Sequence, residues 1–103
     1  MVKSVTNYND FITKLRDAGE KLVVIYFYEN TLFPISFCKE IECMETSKND
    51  VIFLKVNITD CDDVAKLNNI YAVPAFVLMK KKTRLDKTMR VNKLESLIEK
   101  YTI

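Results

Sequence analysis

Three features of this 103-residue chain predict an α/β fold with a mixed central sheet. Residues 22–28 read Leu-Val-Val-Ile-Tyr-Phe-Tyr, an unbroken β-branched and aromatic run of the kind that fills a strand buried on both faces. Extended runs alternate with stretches whose apolar residues recur at helical spacing, and that alternation implies parallel pairing. Near the end, two extended runs flank a basic turn, which adds antiparallel strands. The expected order is β-α-β-α-β-α-β-β-α, with helices on both faces of the sheet. No linker, repeat or low-complexity segment interrupts it, so residues 1–103 read as one domain.

Taken in order, Val2–Val5 reads as a short strand. Tyr8, Phe11, Ile12 and Leu15 fall at i, i+3, i+4 and i+7, the apolar stripe of a helix. Gly19 follows where a helix C-cap needs a residue free of Cβ hindrance. After the strand Leu22–Tyr28, Pro34 opens a helix at the position where its missing N–H costs nothing. Phe37, Ile41 and Met44 give that helix its inward stripe. Val51–Val56 is a second buried strand. Asp60, Asp62 and Asp63 precede or open a short helix, 63–68, where the dipole favours acids. Ala75–Met79 and Leu85–Met89 read as a hairpin turned by Lys80–Arg84. Asn92-Lys93-Leu94-Glu95 resembles a capping box, and Leu94, Leu97, Ile98 and Tyr101 form the stripe of a last helix.

Composition narrows the function. The formal net charge is +2, too small to imply a nucleic-acid or membrane partner. The only arginines are Arg16, Arg84 and Arg90, which argues against bidentate phosphate recognition. Histidine is absent, and with it the commonest general base and zinc ligand. The three cysteines, Cys38, Cys43 and Cys61, are not spaced as Cys-x-x-Cys. An odd count in a short chain points to a reducing compartment, and the N-terminus has no secretory pattern. The longest apolar run is too short to cross a bilayer. A protein of the cytoplasm or nucleus, with no cofactor and no metal, is expected.

In order and at near-constant spacing, several segments resemble the thioredoxin family, of the short animal type. They are Met1-Val2-Lys3, Asp17-Ala18-Gly19-Glu20-Lys21-Leu22-Val23-Val24, Val51-Ile52-Phe53-Leu54-Lys55-Val56, Asp60-Cys61-Asp62-Asp63-Val64-Ala65 and Val73-Pro74-Ala75-Phe76. The resemblance covers nearly the whole chain and implies the thioredoxin fold, with a cis peptide bond at Val73–Pro74. The family's hallmark is Trp-Cys-Gly-Pro-Cys. Its places are taken here by Thr31, Leu32, Phe33, Pro34 and Ile35, so only the proline matches. The family also buries an aspartate beneath its active site, and Tyr26 stands there. Ala72 replaces a cysteine that animal members carry beside the cis-proline. Family glycines in the late hairpin and after the last strand find no match, which draws attention to the backbone near Arg90.

Thiol–disulfide exchange needs one thiolate to attack and a second thiol to resolve the mixed disulfide. Neither sulfur is present at 32 or 35, and no catalytic residue is assigned. The resemblance implies that Ile35 is core and that Leu32 and Phe33 face outward. Tyr26 reads as space filling where the aspartate would be. The sequence therefore suggests a redox-inactive, thioredoxin-like protein-binding or scaffold module. Its surface would comprise Thr31, Leu32, Phe33, Pro34, Ala72, Val73 and Pro74, and it would take a protein or an extended peptide. Two alternatives stand beside it: a monothiol or oxidant-sensing role through Cys38 or Cys61, and a structural subunit or non-covalent homodimer. For Cys38, Cys43 and Cys61 the plain structural role is favoured. Lys80–Arg84, Lys87 and Arg90 read as a solvated turn with edge-protecting lysines. Asp60, Asp62 and Asp63 read as helix capping rather than metal ligands.

Overall fold

The computed structural model describes residues 2–29, 35–48 and 50–102, with the backbone alone for 35–40. The elements are β1 (Lys3–Ser4), α1 (Tyr8–Ala18), β2 (Leu22–Tyr28), α2 (Ile35–Ser47), β3 (Val51–Asn57), α3 (Asp62–Leu67), β4 (Ala75–Lys80), β5 (Thr83–Thr88) and α4 (Val91–Tyr101). The strands form one five-stranded sheet in the order β1-β3-β2-β4-β5. β1 and β2 run parallel to β3, β4 runs antiparallel to β2, and β5 antiparallel to β4. Ile25 sits at the centre, level with Leu54 on one side and Val77 on the other.

The period of two along each strand divides the core into two layers. Val23, Ile25 and Phe27 join Leu54, Val56, Ala75 and Val77 beneath α1 and α3, where Phe11, Leu15, Val64 and Ala65 cover them. Leu22, Val24 and Tyr26 join Phe53, Phe76 and Leu78 on the opposite face, beneath Ile41, Met44, Leu94 and Ile98 of α2 and α4. Six consecutive residues of β2, Leu22 to Phe27, are buried, as a strand covered on both faces requires.

At α1 the chain signals its start with Asn7, whose side chain accepts from the Asp10 N–H at 2.8 Å. Asp10 reaches back to the Thr6 N–H at 2.9 Å and also accepts from Lys14 Nζ at 2.6 Å. These bonds, Lys14 first, hold the Asp10 carboxyl below its ordinary 3.8. Gly19 closes the helix with φ +60, the left-handed region that glycine tolerates.

Several boundaries differ from expectation. Tyr8 is exposed rather than inward, and Ala18 completes the buried stripe instead. The hairpin turn is only Lys81–Lys82, and β5 begins at Thr83, because Lys80 pairs with Thr83. A two-residue hairpin loop of this hand needs positive φ at both positions, and Lys81 (52°) and Lys82 (66°) adopt it without glycine or asparagine. The ladder irregularity falls between Leu78 and Met79, opposite Leu85, and not near Arg90. Asn92 is not a cap: α4 begins at Val91 with Arg90 as N-cap and no side-chain cap bond. Packing of Leu94 and Ile98 into the second core layer sets that helix's position. At α3 the N-cap is Cys61, again without a side-chain cap bond, but Asp63 Oδ1 accepts from the first-turn Val64 N–H at 2.8 Å, and both Asp62 and Asp63 sit where the dipole favours acids. Ile41 and Met44 are buried as expected, while the Phe37 side chain lies outside the described residues.

Candidate functional site

The parallel strands β2 and β3 end at Tyr28 and Asn57, and β4 starts at the same end of the sheet, since Ala75 pairs with Phe27. Crevices at the carboxyl ends of parallel strands are where open α/β sheets place ligands. Ile35 opens the α2 backbone at this end, and the segment 71–74 approaches from α3. Its Val73–Pro74 bond is cis, as expected. Ala72 is exposed and Val73 and Pro74 are half-buried. Thr31, Leu32, Phe33 and Pro34 lie outside the described residues, as does the side chain of Ile35.

Tyr26 occupies the layer beneath α2 and is 3% exposed. Its ring stacks on Phe76 at 5.1 Å with 14° between planes, and on Tyr28 at 5.6 Å with 29°. The position where the family resemblance implies a carboxylate is thus the middle of a three-ring aromatic column.

The segment that carries the cis-proline is anchored at its start by α3. The Ile70 N–H bonds to Ala65 O at 2.9 Å and the Asn69 N–H to Lys66 O at 3.1 Å. With Asn69 at φ 58°, this is the paired C-terminal cap in which asparagine replaces glycine. The buried Asn68 donates from Nδ2 to Val64 O at 2.9 Å. Its carbonyl then accepts from Arg84 Nη1 of β5 at 2.8 Å, a charge-assisted bond to the negative end of the helix.

The described cysteines differ sharply. Cys61 is 1% exposed and donates from Sγ to Val5 O at 3.4 Å. Burial pushes its thiol pKa up, and the nearby carboxylates of Asp63, Asp60, Asp10 and Asp62 push the same way. Cys43 is a free, exposed thiol on α2. Cys38 lies in the part of α2 described by backbone alone.

Sequence reasoning missed three exposed apolar residues. Tyr71 is 81% exposed, immediately before Ala72 and Val73; Leu67 is exposed at the end of α3; and Met89 follows β5 at the carboxyl end of the sheet. The available signal was Tyr71 itself, an aromatic residue between a helix end and a strand start that belongs to neither apolar stripe. Leu67 has the spacing of an inward residue from Val64, and only the end of the helix turns it outward.

The sheet order, the helices on both faces and the cis-proline ahead of β4 define the chain's class as an α/β protein of the thioredoxin fold. The thioredoxin family profile matches residues 1–102. Thioredoxin of Equus caballus is 33% identical over 102 residues, covering 96% of this chain and 97% of the relative. Thioredoxin of Gallus gallus is 34% identical over 94 residues, covering 90% of each. The X-ray structure of Fasciola hepatica thioredoxin superposes with a TM-score of 0.89 over 98% of this chain and 100% of its own, at 18% identity, and so shares the fold. This chain belongs to the thioredoxin family. Among its described residues no helix is long and apolar enough to cross a membrane.

Proposed function

We propose that this protein is a redox-inactive member of the thioredoxin family that docks proteins through the surface around Leu32, Phe33, Pro34 and the cis Val73–Pro74 segment. One observation carries the reading. The cis-proline segment is kept and accessible, while the resemblance sets Leu32 and Ile35 at the family's two sulfur positions. Without an attacking and a resolving thiol there is no covalent capture, and what remains is a docking surface for an extended peptide or a second copy of the chain. The exposed Tyr71, Ala72 and Met89 enlarge the apolar area on offer at this end. Tyr26 supports the same reading, because an aromatic column there supplies packing and no carboxylate for proton transfer. The reading places the chain in the reducing cytosol or nucleus. A monothiol role for Cys61 has the geometry against it, since a buried thiol with a raised pKa is a poor nucleophile.

Reduction of insulin by the protein, with thioredoxin reductase and NADPH supplied, tests the first half: turnover should not exceed the uncatalysed rate. Turnover that disappears in Cys38→Ser would instead establish monothiol chemistry. For docking, solution mass against concentration and partner recovery are compared between wild type and Phe33→Asp. Identical behaviour in both would reject this surface as the docking site.

A further inference from the structure

A second surface shares no residue with the cis-proline site. A groove of about 670 Å³ runs between α2 and α4. The largely buried Met44 and the half-buried Val91 give it an apolar floor, Cys43 and Ser47 face it from α2, and Asn92, Glu95, Ser96 and Glu99 from α4. Among the described residues no lysine or arginine lines it. A neighbouring depression shares Cys43 and Ser47, so the concave surface continues across the outer side of α2. Glu95 and Glu99 are four residues apart on one helix face, a spacing at which like charges weaken the helix. Among the described residues neither carboxylate forms an ion pair with a basic side chain.

We propose that this groove takes a cationic amphipathic helix of a partner protein. Its aliphatic residues would pack on Met44 and Val91, and lysines or arginines one turn apart would meet Glu95 and Glu99. Residues 95 and 99 lie about 6 Å apart along the α4 backbone, the rise over which a second helix repeats its side chains. Two helices walling a trough with an apolar floor and a polar, acidic rim match the helix-in-groove mode, in which the partner's apolar face fills the trough and charges fix its register. The whole chain carries net charge +2, so the attraction of a cationic partner must come from this local pair and not from the overall field.

The probe is a synthetic helical peptide of about 14 residues, leucine on one face and lysine on the other, with a leucine–glutamate peptide of the same pattern as its counterpart. Binding is read by calorimetry. Protection of Cys43 is read by alkylation and mass spectrometry of the tryptic fragment 40–48, which separates it from Cys38. The leucine–lysine peptide should bind, protect Cys43 and weaken with salt, and the leucine–glutamate peptide should not bind. Glu95→Lys combined with Glu99→Lys should weaken binding about tenfold or more. Asp60→Lys combined with Asp63→Lys, which adds the same charge elsewhere, should change it by about twofold at most. Failure of the wild type to bind, equal losses in the two double variants, or equal protection of Cys43 by spermine would each overturn the proposal. Phe33→Asp should bind the probe like wild type, so this test and that of the cis-proline surface fail separately.

Discussion

Replacing Tyr26 by aspartate tests the placement of this residue most directly. A buried aromatic side chain removes about 150–250 Å² from water, worth about 4–6 kcal/mol at 25 cal/mol per Å². A compact unfolded state lowers that to about 3–5 kcal/mol. Each of the two ring contacts, with Phe76 and Tyr28, adds about 0.5–1.5 kcal/mol. Aspartate fills part of the space but keeps neither contact, so the protonated form should cost about 4 kcal/mol, as large-to-small aromatic changes do. Ionisation adds to this. Burial raises the folded-state pKa of a carboxyl above its unfolded value near 3.9, so between those values the folded state binds more protons. The Tyr26→Asp variant should therefore lose about 1.4 kcal/mol more per pH unit above about pH 4, until the folded pKa is passed. Three pH units of that slope bring the total to at most about 8 kcal/mol at neutral pH, which would use up the stability of many domains this size. Urea unfolding followed by circular dichroism, at about pH 5 and about pH 7 and referred to wild type at each pH, measures it. Tyr26→Leu is the companion, with a smaller cost and none of the pH dependence. A Tyr26→Asp penalty that is small, or equal at both pH values, would mean that position 26 is solvated and that the buried column is wrong.

Lys82→Gly should raise stability by about 0.5–1 kcal/mol, because relief of the left-handed conformation outweighs the entropy glycine adds to the unfolded chain; a melting temperature unchanged or lowered would contradict that. Asn7→Ala should cost about 1 kcal/mol through loss of the α1 cap, measured by urea unfolding. Asp10 is depressed in the folded state, so its contribution is full above its ordinary pKa of 3.8 and is lost as pH falls below it. Asp10→Asn should therefore flatten that part of the acid unfolding profile, and an unchanged profile would show the Lys14 and Thr6 bonds to be energetically idle. Under native conditions Cys43 should alkylate readily, while Cys61 should react only at the rate of opening or unfolding. Equal rates would mean that Cys61 is accessible.

The elements most legible in the sequence were those with a one-to-one link between pattern and burial. β2 was placed residue for residue because an apolar run covered on both faces has no other use in a chain this size. The hairpin was less legible: Lys81 and Lys82 carry no glycine or asparagine, and only strand pairing from Ala75 to Lys80 forces them into positive φ. At α4 the local cap signal at Asn92 lost to tertiary packing of Leu94 and Ile98. The Arg84 bond to Asn68 joins residues 16 positions apart and leaves no local trace. At the candidate site the cis bond and the burial of Tyr26 were foreseen through the resemblance. The exposure of Tyr71, Leu67 and Met89 was not, since it depends on where α3 and β5 stop.

The anchoring of the cis-proline segment also bears on how this protein can diversify. Ile70 is fixed by the α3 cap and Ala75 by its place beside Phe27, so the frame is set at both ends without help from the side chains of Tyr71 or Ala72. Those two side chains point into water and carry little of the folding energy. Substitutions at such positions commonly change stability by no more than about 0.5 kcal/mol. If the proposed docking surface is used, its preference can be varied at 71 and 72 while the scaffold beneath stays the same.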